Sequence, residues 1–350
     1  MKDRKPLRIA VIAPPWLPVP PHGYGGIELV VHALTEELVL AGHEVTLFAS
    51  GDSTTCAKLV SPYPKALRNR GVPWTNCTFS LVHIHEALKH QEEFDIIHSH
   101  IDSLDVFFAK QVSVPFVSTV HTLLHKRYPE DLRTEAYRHF PNHKVVTISH
   151  DQKNKATVAL DYIDTVYNGI PLKEYTYSNT PDDYFAWLGR VIEYKGVLGA
   201  IAAAKKGRAH LNLAGVIEKP EESFFEKRVK PDLDDRITYI GEVSGKTKNS
   251  FLKNAKALLC PIEWEEPFGL TLIEAMACGT PVIAFNRGAI PEIIAHGKTG
   301  YIVENVDEMV EAMGKVDAIS REECRKHVEE KFSSKKMASA YENVYYSLVK

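Results

Sequence analysis

The sequence is poor in cysteine and has no long apolar run. Its five cysteines in 350 residues are scattered, odd in number and never spaced as Cys-x-x-Cys. We therefore expect free thiols in a reducing compartment and no disulfide framework. No run approaches the ~18 apolar residues of a membrane span. The run from Leu7 to Ala13 is too short for a signal peptide and is expected to be a buried strand. Together these absences predict a cytoplasmic protein.

The chain also lacks an excess of charge of either sign. It has 42 Lys and Arg against 45 Asp and Glu, a net charge of -3 at pH 7. A nucleic-acid-binding surface needs a basic excess, so we expect no nucleic-acid partner. The segment 125–140 mixes basic and aromatic residues, but acidic residues interrupt any basic face. This pattern leaves peripheral membrane contact open without indicating it.

Two common phosphate-binding motifs are missing from the first loop. Its glycines, at positions 23, 25 and 26, do not form G-x-G-x-x-G, and no G-K-[ST] follows them. A nicotinamide-dependent dehydrogenase and a P-loop nucleotidase are therefore disfavoured. Glycines before a helix still let backbone N–H groups approach a phosphate, although an ordinary tight turn explains them equally well.

Histidine, by contrast, is abundant, with sixteen residues. His98 and His100 alternate at the end of one predicted strand, and His121 and His125 lie at and after the end of the next. Both pairs have the spacing of metal ligands, but no third ligand completes either set. We therefore expect no metal site, and expect an uncoordinated histidine at the end of a strand.

Short Val- and Ile-rich runs alternate with helical stretches along nearly the whole chain. Such runs predict strands buried on both faces, and hence parallel sheets with helical crossovers. The irregular segment 171–183 interrupts the alternation once and is predicted to be a linker, and 350 residues exceed one ordinary core. We predict two doubly wound α/β domains, at 1–172 and 173–332, with a ligand between them and a helix at 333–350 that docks back on the body. The predicted strands are RIAVIA, EVTLFA, FDIIHSH, PFVSTVH, KVVTISH and DTVYNG, then YFAWLGR, HLNLAG, ITYIGEV, ALLCP and PVIAF. The predicted helices of the first domain are Ile27–Ala41, Thr78–Gln91, Ser103–Gln111, Pro129–Phe140 and Asp151–Leu160. The apolar face predicted for the last helix consists of Met337, Ala340, Val344, Tyr345 and Leu348.

The window from Glu263 to Pro291 is the most informative in the chain. Glu266 and Glu274 flank a Pro-Phe-Gly that marks a helix start, and Gly279 marks the end of that helix. At ~1.5 Å per residue, Glu274 lies about one and a half turns in. The unpaired N–H groups of the first turn form an anion site between the two acids. This order suits a ligand with alternating hydroxyls and phosphates, such as a sugar nucleotide.

Two cations lie in the segment Trp187–Gly196. Arg190 ends a predicted strand, and Lys195 opens the next predicted helix, where the helix dipole disfavours a cation. This local conflict indicates a functional role, and two converging cations suit a diphosphate. The alternative is a solvated lysine at a helix start.

Taken together, these motifs resemble family 4 of the glycosyltransferases, which has the GT-B fold of two Rossmann-like domains. The resemblance covers roughly residues 7 to 345. Its E-x7-E motif is met by Glu266 and Glu274, and Pro171 stands where the family commonly has Asp. The other matches are Gly189, Arg190, Lys195 and Gly196 for G-R-x4-K-G, Gly25-Gly26, His98-x-His100, Thr119-x-His121 and Asn-Gly-Ile at 168–170.

The resemblance implies transfer of a glucose- or mannose-type hexose from a nucleoside diphosphate sugar to an acceptor hydroxyl. It implies retention of anomeric configuration, with neither metal nor cofactor. Glu274 is expected to bind the ribose, Glu266 the transferred sugar, and the loop near Val243 the base. The expected catalytic residues are His121, Arg190, Lys195 and Glu266; the donor-binding residues are Gly25, Gly26, Gly189, Val243, Pro267, Phe268, Gly269, Leu270 and Glu274; the acceptor residues are His22, Tyr24, His100 and Asp102.

No carboxylate presents itself as the nucleophile of a double displacement, so we expect a front-face mechanism in which the leaving phosphate accepts the proton. The alternatives are a GT-B epimerase or hydrolase and a non-catalytic sugar-nucleotide-binding protein. UDP-glucose is the default donor, with GDP and ADP sugars open. The acceptor class, whether a sugar, a small aglycone or a lipid head group, also stays open.

Overall fold

The computed structural model describes residues 4–125 and 132–349. The chain forms two compact units. The first unit takes the described residues up to Pro21, those from Gly25 to Ile170 and the helix from Ser334 onward. The second takes His22–Tyr24 and Pro171–Ser333.

The first unit is built on a seven-stranded parallel sheet. Its order is β3-β2-β1-β4-β5-β6-β7, so β1 and β4 are neighbours at the point where the winding direction reverses. Its central strands are almost wholly buried, as expected for a sheet covered by helices on both faces. The strands are β1 (Arg8–Ile12), β2 (Glu44–Phe48), β3 (Lys58–Val60), β4 (Ile96–Ser99), β5 (Phe116–Val120), β6 (Lys144–Thr147) and β7 (Asp161–Thr165).

Two helices of the first unit are only about half as long as the sequence pattern predicts. The helix predicted at Ser103–Gln111 begins only at Val106, because Ser103 has a left-handed φ of 59° that no helix contains. The helix predicted at Asp151–Leu160 ends at Asn154, and the amide of Thr157 bonds Leu124 instead. The helices are α1 (Gly26–Leu40), α2 (Thr78–Leu88), α3 (Val106–Ala109), α4 (Leu132–Arg138) and α5 (His150–Asn154). The start of the helix predicted at 129–140 lies outside the described residues.

The second unit is built on a six-stranded parallel sheet of order β10-β9-β8-β11-β12-β13. Here β8 and β11 are the neighbours at the reversal. The strands are β8 (Phe185–Leu188), β9 (Leu211–Ala214), β10 (Ile237–Tyr239), β11 (Leu258–Cys260), β12 (Val282–Phe285) and β13 (Gly300–Val303). The helices are α6 (Val197–Gly207), α7 (Glu222–Phe224, continued by a π turn), α8 (Gly245–Asn254), α9 (Leu270–Ala277), α10 (Ile290–Ile293), α11 (Val306–Met313) and α12 (Arg321–Lys331).

The last helix, α13 (Ser334–Leu348), packs against α1 of the first unit. The predicted apolar face is partly wrong, because Ala340 and Leu348 are only half-buried. Ala338 and Tyr341 are buried in their place, together with Met337, Val344 and Tyr345. The two tyrosine hydroxyls bond side chains of the sheet, and this pairing sets the rotation of the helix.

In each sheet, loops from the two strands at the reversal leave the same edge. In open parallel sheets such a switch point is where ligands bind. The loops after β1 and β4 lie there in the first unit, and those after β8 and β11 in the second. These four loops carry most of the predicted site residues.

Candidate functional site

The loop after β8 carries the two predicted cations, and both are half-buried. Arg190 contacts the Tyr194 hydroxyl at 2.5 Å and Glu218 at 3.4 Å. Lys195 contacts Oε2 of Glu266 at 2.7 Å and lies 4.7 Å from the centre of the Trp264 ring. Burial acts to lower the pKa of Lys195, but the charge of Glu266 outweighs it, and the pKa is raised. Lys195 therefore stays charged at neutral pH.

Lys195 does not open a helix, contrary to the sequence prediction. It ends a short 3-10 turn, Glu193–Lys195, and α6 begins two residues later. Between them Gly196 has a φ of 76°, and a Cβ there would lie 1.8 Å from the carbonyl oxygen of Pro261. Only glycine permits this approach to the end of β11, which brings the Lys195 segment beside the Glu266 loop.

The loop that carries Glu266 follows β11 and is held by a second turn. The amide of Ala289 bonds the Glu266 carbonyl at 2.8 Å, and that of Gly288 bonds the Glu265 carboxylate at 2.8 Å. The indole of Trp264 donates to Oε2 of Glu266 at 3.0 Å. Glu266 is thereby fixed by its backbone, by Trp264 and by Lys195.

The predicted helix start at Pro267-Phe268-Gly269 is confirmed. α9 begins at Leu270, Gly269 precedes it with a φ of 96°, and no side chain caps the helix. Pro267 and Phe268 are buried, which fixes the approach of the chain to the helix. The first-turn N–H groups are therefore placed as the sequence predicts, just after Glu266.

Glu274 lies on the buried face of α9, 3% exposed. Its Oε1 accepts hydrogen bonds from Lys248 at 2.6 Å and from the Tyr175 hydroxyl at 2.8 Å. Neither partner was predicted. Lys248 carries a sequence signal, because it lies in the first turn of α8, where a cation opposes the helix dipole. Tyr175 carries no such signal.

The remaining predicted residues of the second unit lie near the ends of β8 and β10. Gly189 donates its amide to Ala214 at 3.1 Å. Val243 follows β10 in the loop before α8 and is half-buried. His22 and Tyr24 are exposed, and the Tyr24 amide donates to Oε1 of Glu242 at 2.9 Å. No motif in the sequence indicates this contact of Glu242.

In the first unit, Gly25 and Gly26 form the start of α1, and no side chain caps it. A Cβ on Gly25 would lie 2.8 Å from the Pro21 ring, so the turn before the helix requires a glycine. The start of α1 therefore has no side-chain cap, whereas binding of a phosphate by its amides stays a prediction.

Three of the predicted histidines, His98, His100 and the half-buried His121, form a cluster at the ends of β4 and β5. His98 and His100 are fully buried, and their rings are 4.2 Å apart, so they lie on the same side as predicted. Nδ1 of His100 hydrogen-bonds Nε2 of His121 at 2.9 Å. Burial lowers the pKa of His98 and of His121 to about 3, and that of His100 well below its usual value. The cluster is therefore neutral at physiological pH.

Two carboxylates bond residues in β5 and just after it. Asp102 accepts the backbone N–H of His121 at 3.0 Å, and Asp105 accepts the Ser118 hydroxyl at 2.7 Å. Burial raises the pKa of each carboxyl to about 6. Asp102 therefore anchors the backbone of the predicted catalytic histidine, whereas direct acceptor contacts by Asp102 and His100 stay predictions.

Three further observations concern the whole described chain. All five cysteines, which lie in its described part, are free. Within residues 4–125 and 132–349, no cluster of three or more His, Cys, Asp or Glu is arranged to hold a metal ion. No helix in these ranges has the length and apolar character needed to cross a membrane.

Two family models match the chain, one in each half. The model described as Glycosyltransferase Family 4 matches residues 24–174, and the model described as Glycosyl transferases group 1 matches residues 173–333. The chain belongs to the group 1, family 4 type of glycosyltransferases.

Known relatives agree with this assignment. This glycosyltransferase is 26% identical to an uncharacterized glycosyltransferase of Methanocaldococcus jannaschii, over 93% of its own length and 95% of the relative. The crystal structure of AviGT4, a glycosyltransferase involved in avilamycin A biosynthesis, matches with a TM-score of 0.77 at 24% identity, covering 98% of both chains. Anabaena HepE, solved in complex with UDP-glucose, matches with a TM-score of 0.73 at 15% identity, covering 98% of this chain and 100% of that one. These similarities show the GT-B fold.

Proposed function

We propose that this glycosyltransferase is a retaining hexosyltransferase that moves glucose or mannose from a nucleoside diphosphate sugar to an acceptor hydroxyl. The observation that carries the proposal is that the loop after β8 holds Arg190 and Lys195 at the switch point of the second sheet, with Lys195 bonded to Glu266 at 2.7 Å. Permanent cations suit a diphosphate, and carboxylates suit sugar hydroxyls. The UDP-glucose complex of HepE, which shares the fold, supports UDP-glucose as the first donor to test.

In this proposal the two cations stabilise the charge that develops on the leaving diphosphate, each lowering the barrier by roughly a few kcal/mol. Their role replaces that of a metal ion. Amides at Gly25–Gly26 and Phe268–Leu270 add to the same effect. His121, whose pKa burial lowers to about 3, acts as a neutral hydrogen-bonding group on the donor sugar.

Retention by a front-face mechanism follows from the same groups. The departing phosphate accepts the proton of the acceptor hydroxyl, and the new glycosidic bond forms on the face from which the leaving group departs. The five free cysteines support the cytoplasm as the working compartment.

A thermal-shift screen with UDP, GDP and ADP tests the donor class. A nucleotide at 100 times its Kd stabilises the chain by ~2.7 kcal/mol. We expect one of the three to raise the melting temperature, and Arg190→Met to weaken that shift. Failure of all three to shift the wild-type chain would count against the proposal.

Product analysis tests the reaction class. With donor and acceptor together, we expect a glycoside whose anomeric configuration, measured by NMR, equals that of the donor, and activity that survives EDTA. Turnover of donor alone to an isomer or a free sugar would favour the epimerase or hydrolase alternative. A covalent glycosyl-enzyme trapped on any carboxylate would replace the front-face mechanism by a double displacement.

A further inference from the structure

Tyr175 belongs to the segment 171–183 that the sequence predicts as a linker, yet it contacts a predicted donor-site residue. Its hydroxyl donates to Oε1 of Glu274 at 2.8 Å. Lys248 approaches the same oxygen at 2.6 Å. A carboxylate as buried as Glu274 needs such partners, because its charge is otherwise strongly destabilising. The segment therefore forms part of the site in the second unit.

Arg325 of α12 fixes the backbone of this segment. Its guanidinium donates to the carbonyls of Tyr175 at 2.8 Å, Ala277 at 2.7 Å and Leu172 at 3.2 Å. Ala277 is the last residue of α9, the helix that carries Glu274. One side chain thus holds both the segment and the helix whose carboxylate Tyr175 contacts.

Asn249, the residue after Lys248 on α8, fixes the segment from a second direction. Its amide nitrogen donates to the Glu174 carbonyl at 2.9 Å, and its Oδ1 accepts from the Thr176 hydroxyl at 2.5 Å. Both neighbours of Tyr175 in the chain are therefore bound. The phenol has a defined position relative to Lys248 and Glu274.

Tyr175 and Lys248 together hold the carboxylate of Glu274 as a fixed hydrogen-bond acceptor. Burial, together with the charge of Glu274, raises the pKa of Tyr175 well above its usual value, so the phenol keeps its proton and donates. Both hydrogen bonds fall on Oε1, which leaves Oε2 for a ligand. A carboxylate held by one oxygen is well suited to bind neighbouring hydroxyls of a sugar ring.

We propose that Tyr175 is a positioning residue of the donor site, which with Lys248 holds Glu274 so that its second oxygen binds the ribose hydroxyls of the nucleoside diphosphate. This inference rests on the proposed function, in which Glu274 binds the ribose. Through Tyr175, the segment 171–183 helps the donor site to distinguish ribose from deoxyribose nucleotides.

Calorimetric titration with UDP and with its 2′-deoxy and 3′-deoxy forms tests the inference, with the corresponding GDP or ADP set used if the screen selects that base. We expect the wild-type chain to prefer the ribonucleotide. Tyr175→Phe should weaken ribonucleotide binding roughly three- to tenfold while affecting a deoxy form less, because only the contact to the hydroxyl is loosened. In turnover assays the donor KM should rise with little change in kcat.

Tyr184→Phe is the matched control. The Tyr184 hydroxyl donates to the carbonyl of Phe251 at 2.7 Å in the same unit, so this variant loses a comparable hydrogen bond away from Glu274. Tyr184→Phe should lower the melting temperature without changing the ratio of the affinity for the ribonucleotide to that for its deoxy form. Lys248→Met should reduce that ratio further, and Lys248→Arg should restore most of it.

The outcomes separate the inference from the proposed function. Equal weakening of ribose and deoxyribose ligands by Tyr175→Phe, or no weakening, would overturn the positioning role and leave the transferase proposal standing. Equal binding of the ribonucleotide and its deoxy form by the wild-type chain would also overturn the positioning role and leave the transferase proposal standing. A chain that binds none of the nucleoside diphosphates would overturn both.

Discussion

At the scale of single residues, two glycines of the second unit share a backbone conformation and differ in surroundings. Gly196 has a φ of 76° and Gly297 one of 75°. A Cβ on Gly196 would lie 1.8 Å from the Pro261 carbonyl oxygen, whereas one on Gly297 would meet nothing within 4 Å. An alanine at either position incurs the left-handed cost of ~1–2 kcal/mol, and only the one at 196 adds a collision with backbone.

We therefore predict that Gly196→Ala lowers the free energy of unfolding of the second unit by roughly 3 kcal/mol or more. It should also weaken donor binding, because the displaced turn carries Lys195. Urea denaturation and calorimetric titration measure the two effects. Gly297→Ala is the control, with a loss of ~1–2 kcal/mol and unchanged donor affinity. Equal losses in the two variants would show that the contact with Pro261 is not what requires a glycine.

A second residue-scale prediction concerns Lys195, whose ammonium contacts Glu266 at 2.7 Å. Lys195→Met should reduce kcat by about 100- to 1,000-fold, because it removes charge stabilisation of the leaving group. Lys206→Met is the control, since Lys206 of the same unit pairs with Asp307 on the exposed surface. Steady-state kinetics on both variants, with circular dichroism to verify folding, gives the comparison. A kcat for Lys195→Met within threefold of the wild type would remove Lys195 from the proposed chemistry.

At the scale of elements, α13 is tied to the first sheet by two tyrosine hydroxyls. Tyr345 bonds Nδ1 of His98 at 2.7 Å, and Tyr341 bonds Thr119 at 2.7 Å. Tyr345→Phe leaves a fully buried imidazole nitrogen without that partner, so we expect a loss of ~1–3 kcal/mol in unfolding free energy. Tyr346→Phe, whose hydroxyl bonds the Lys5 carbonyl at an exposed position, should cost much less. Urea denaturation of the two variants measures this, and equal losses would show that the buried bond does not stabilise the docked helix.

Among the strands, those that the sequence pattern missed or misplaced are edge strands. β3 and β13 were not predicted, and the strand predicted as DTVYNG lies three residues earlier, as β7. All three strands are at the ends of their sheets. Continuous apolar runs identify strands that are covered on both faces, and the strand prediction depends on such runs. An edge strand such as β7 keeps exposed aspartates, so its pattern carries less of that signal.

The site was predictable to the extent that its residues lie close in sequence. Arg190 and Lys195, or Glu266 and Gly269, occur in short windows whose spacing already indicates an anion site. The group around Glu274 is different, because Tyr175 and Lys248 come from distant elements. Only the packing of α8, α9 and the preceding segment brings them together, and no local pattern records that packing.

At the scale of the whole molecule, the two units differ in how many histidines have a lowered pKa. In the described part of the first unit the pKa values of five histidines are lowered, with burial as the main cause; four of them are buried and His121 is half-buried. These histidines are His83, His98, His100, His121 and His143. Burial also raises the pKa of Glu28 to about 7 and the pKa values of Asp102 and Asp105 to about 6. In the described part of the second unit, one histidine, His327, has a lowered pKa.

The lowered histidine pKa values and the raised carboxyl pKa values change the stability of the first unit in opposite directions as the pH falls. The larger of the two effects decides whether acid destabilises this unit. The lowered imidazoles contribute stability that is fully present above pH 6.5 and is lost as the pH falls toward 4, since the unfolded chain then binds their protons. The raised carboxyls contribute stability at low pH that is lost as the pH rises through 6 to 7. Near pH 5 the unfolded first unit binds an excess of about two protons, a slope of ~2.7 kcal/mol per pH unit.

We therefore predict that acid destabilises the first unit more than the second. Hydrogen exchange measured by mass spectrometry at pH 6 and pH 5, corrected for intrinsic exchange rates, follows each unit separately through its central strands. Protection of β4 and β5 should fall by about a hundredfold, because ~2.7 kcal/mol corresponds to two powers of ten. Protection of β11 and β12 should fall less than tenfold, since only His327 adds to the proton uptake there. Equal losses in the two units, or a gain in the first, would show that the buried carboxyls outweigh the neutral histidines.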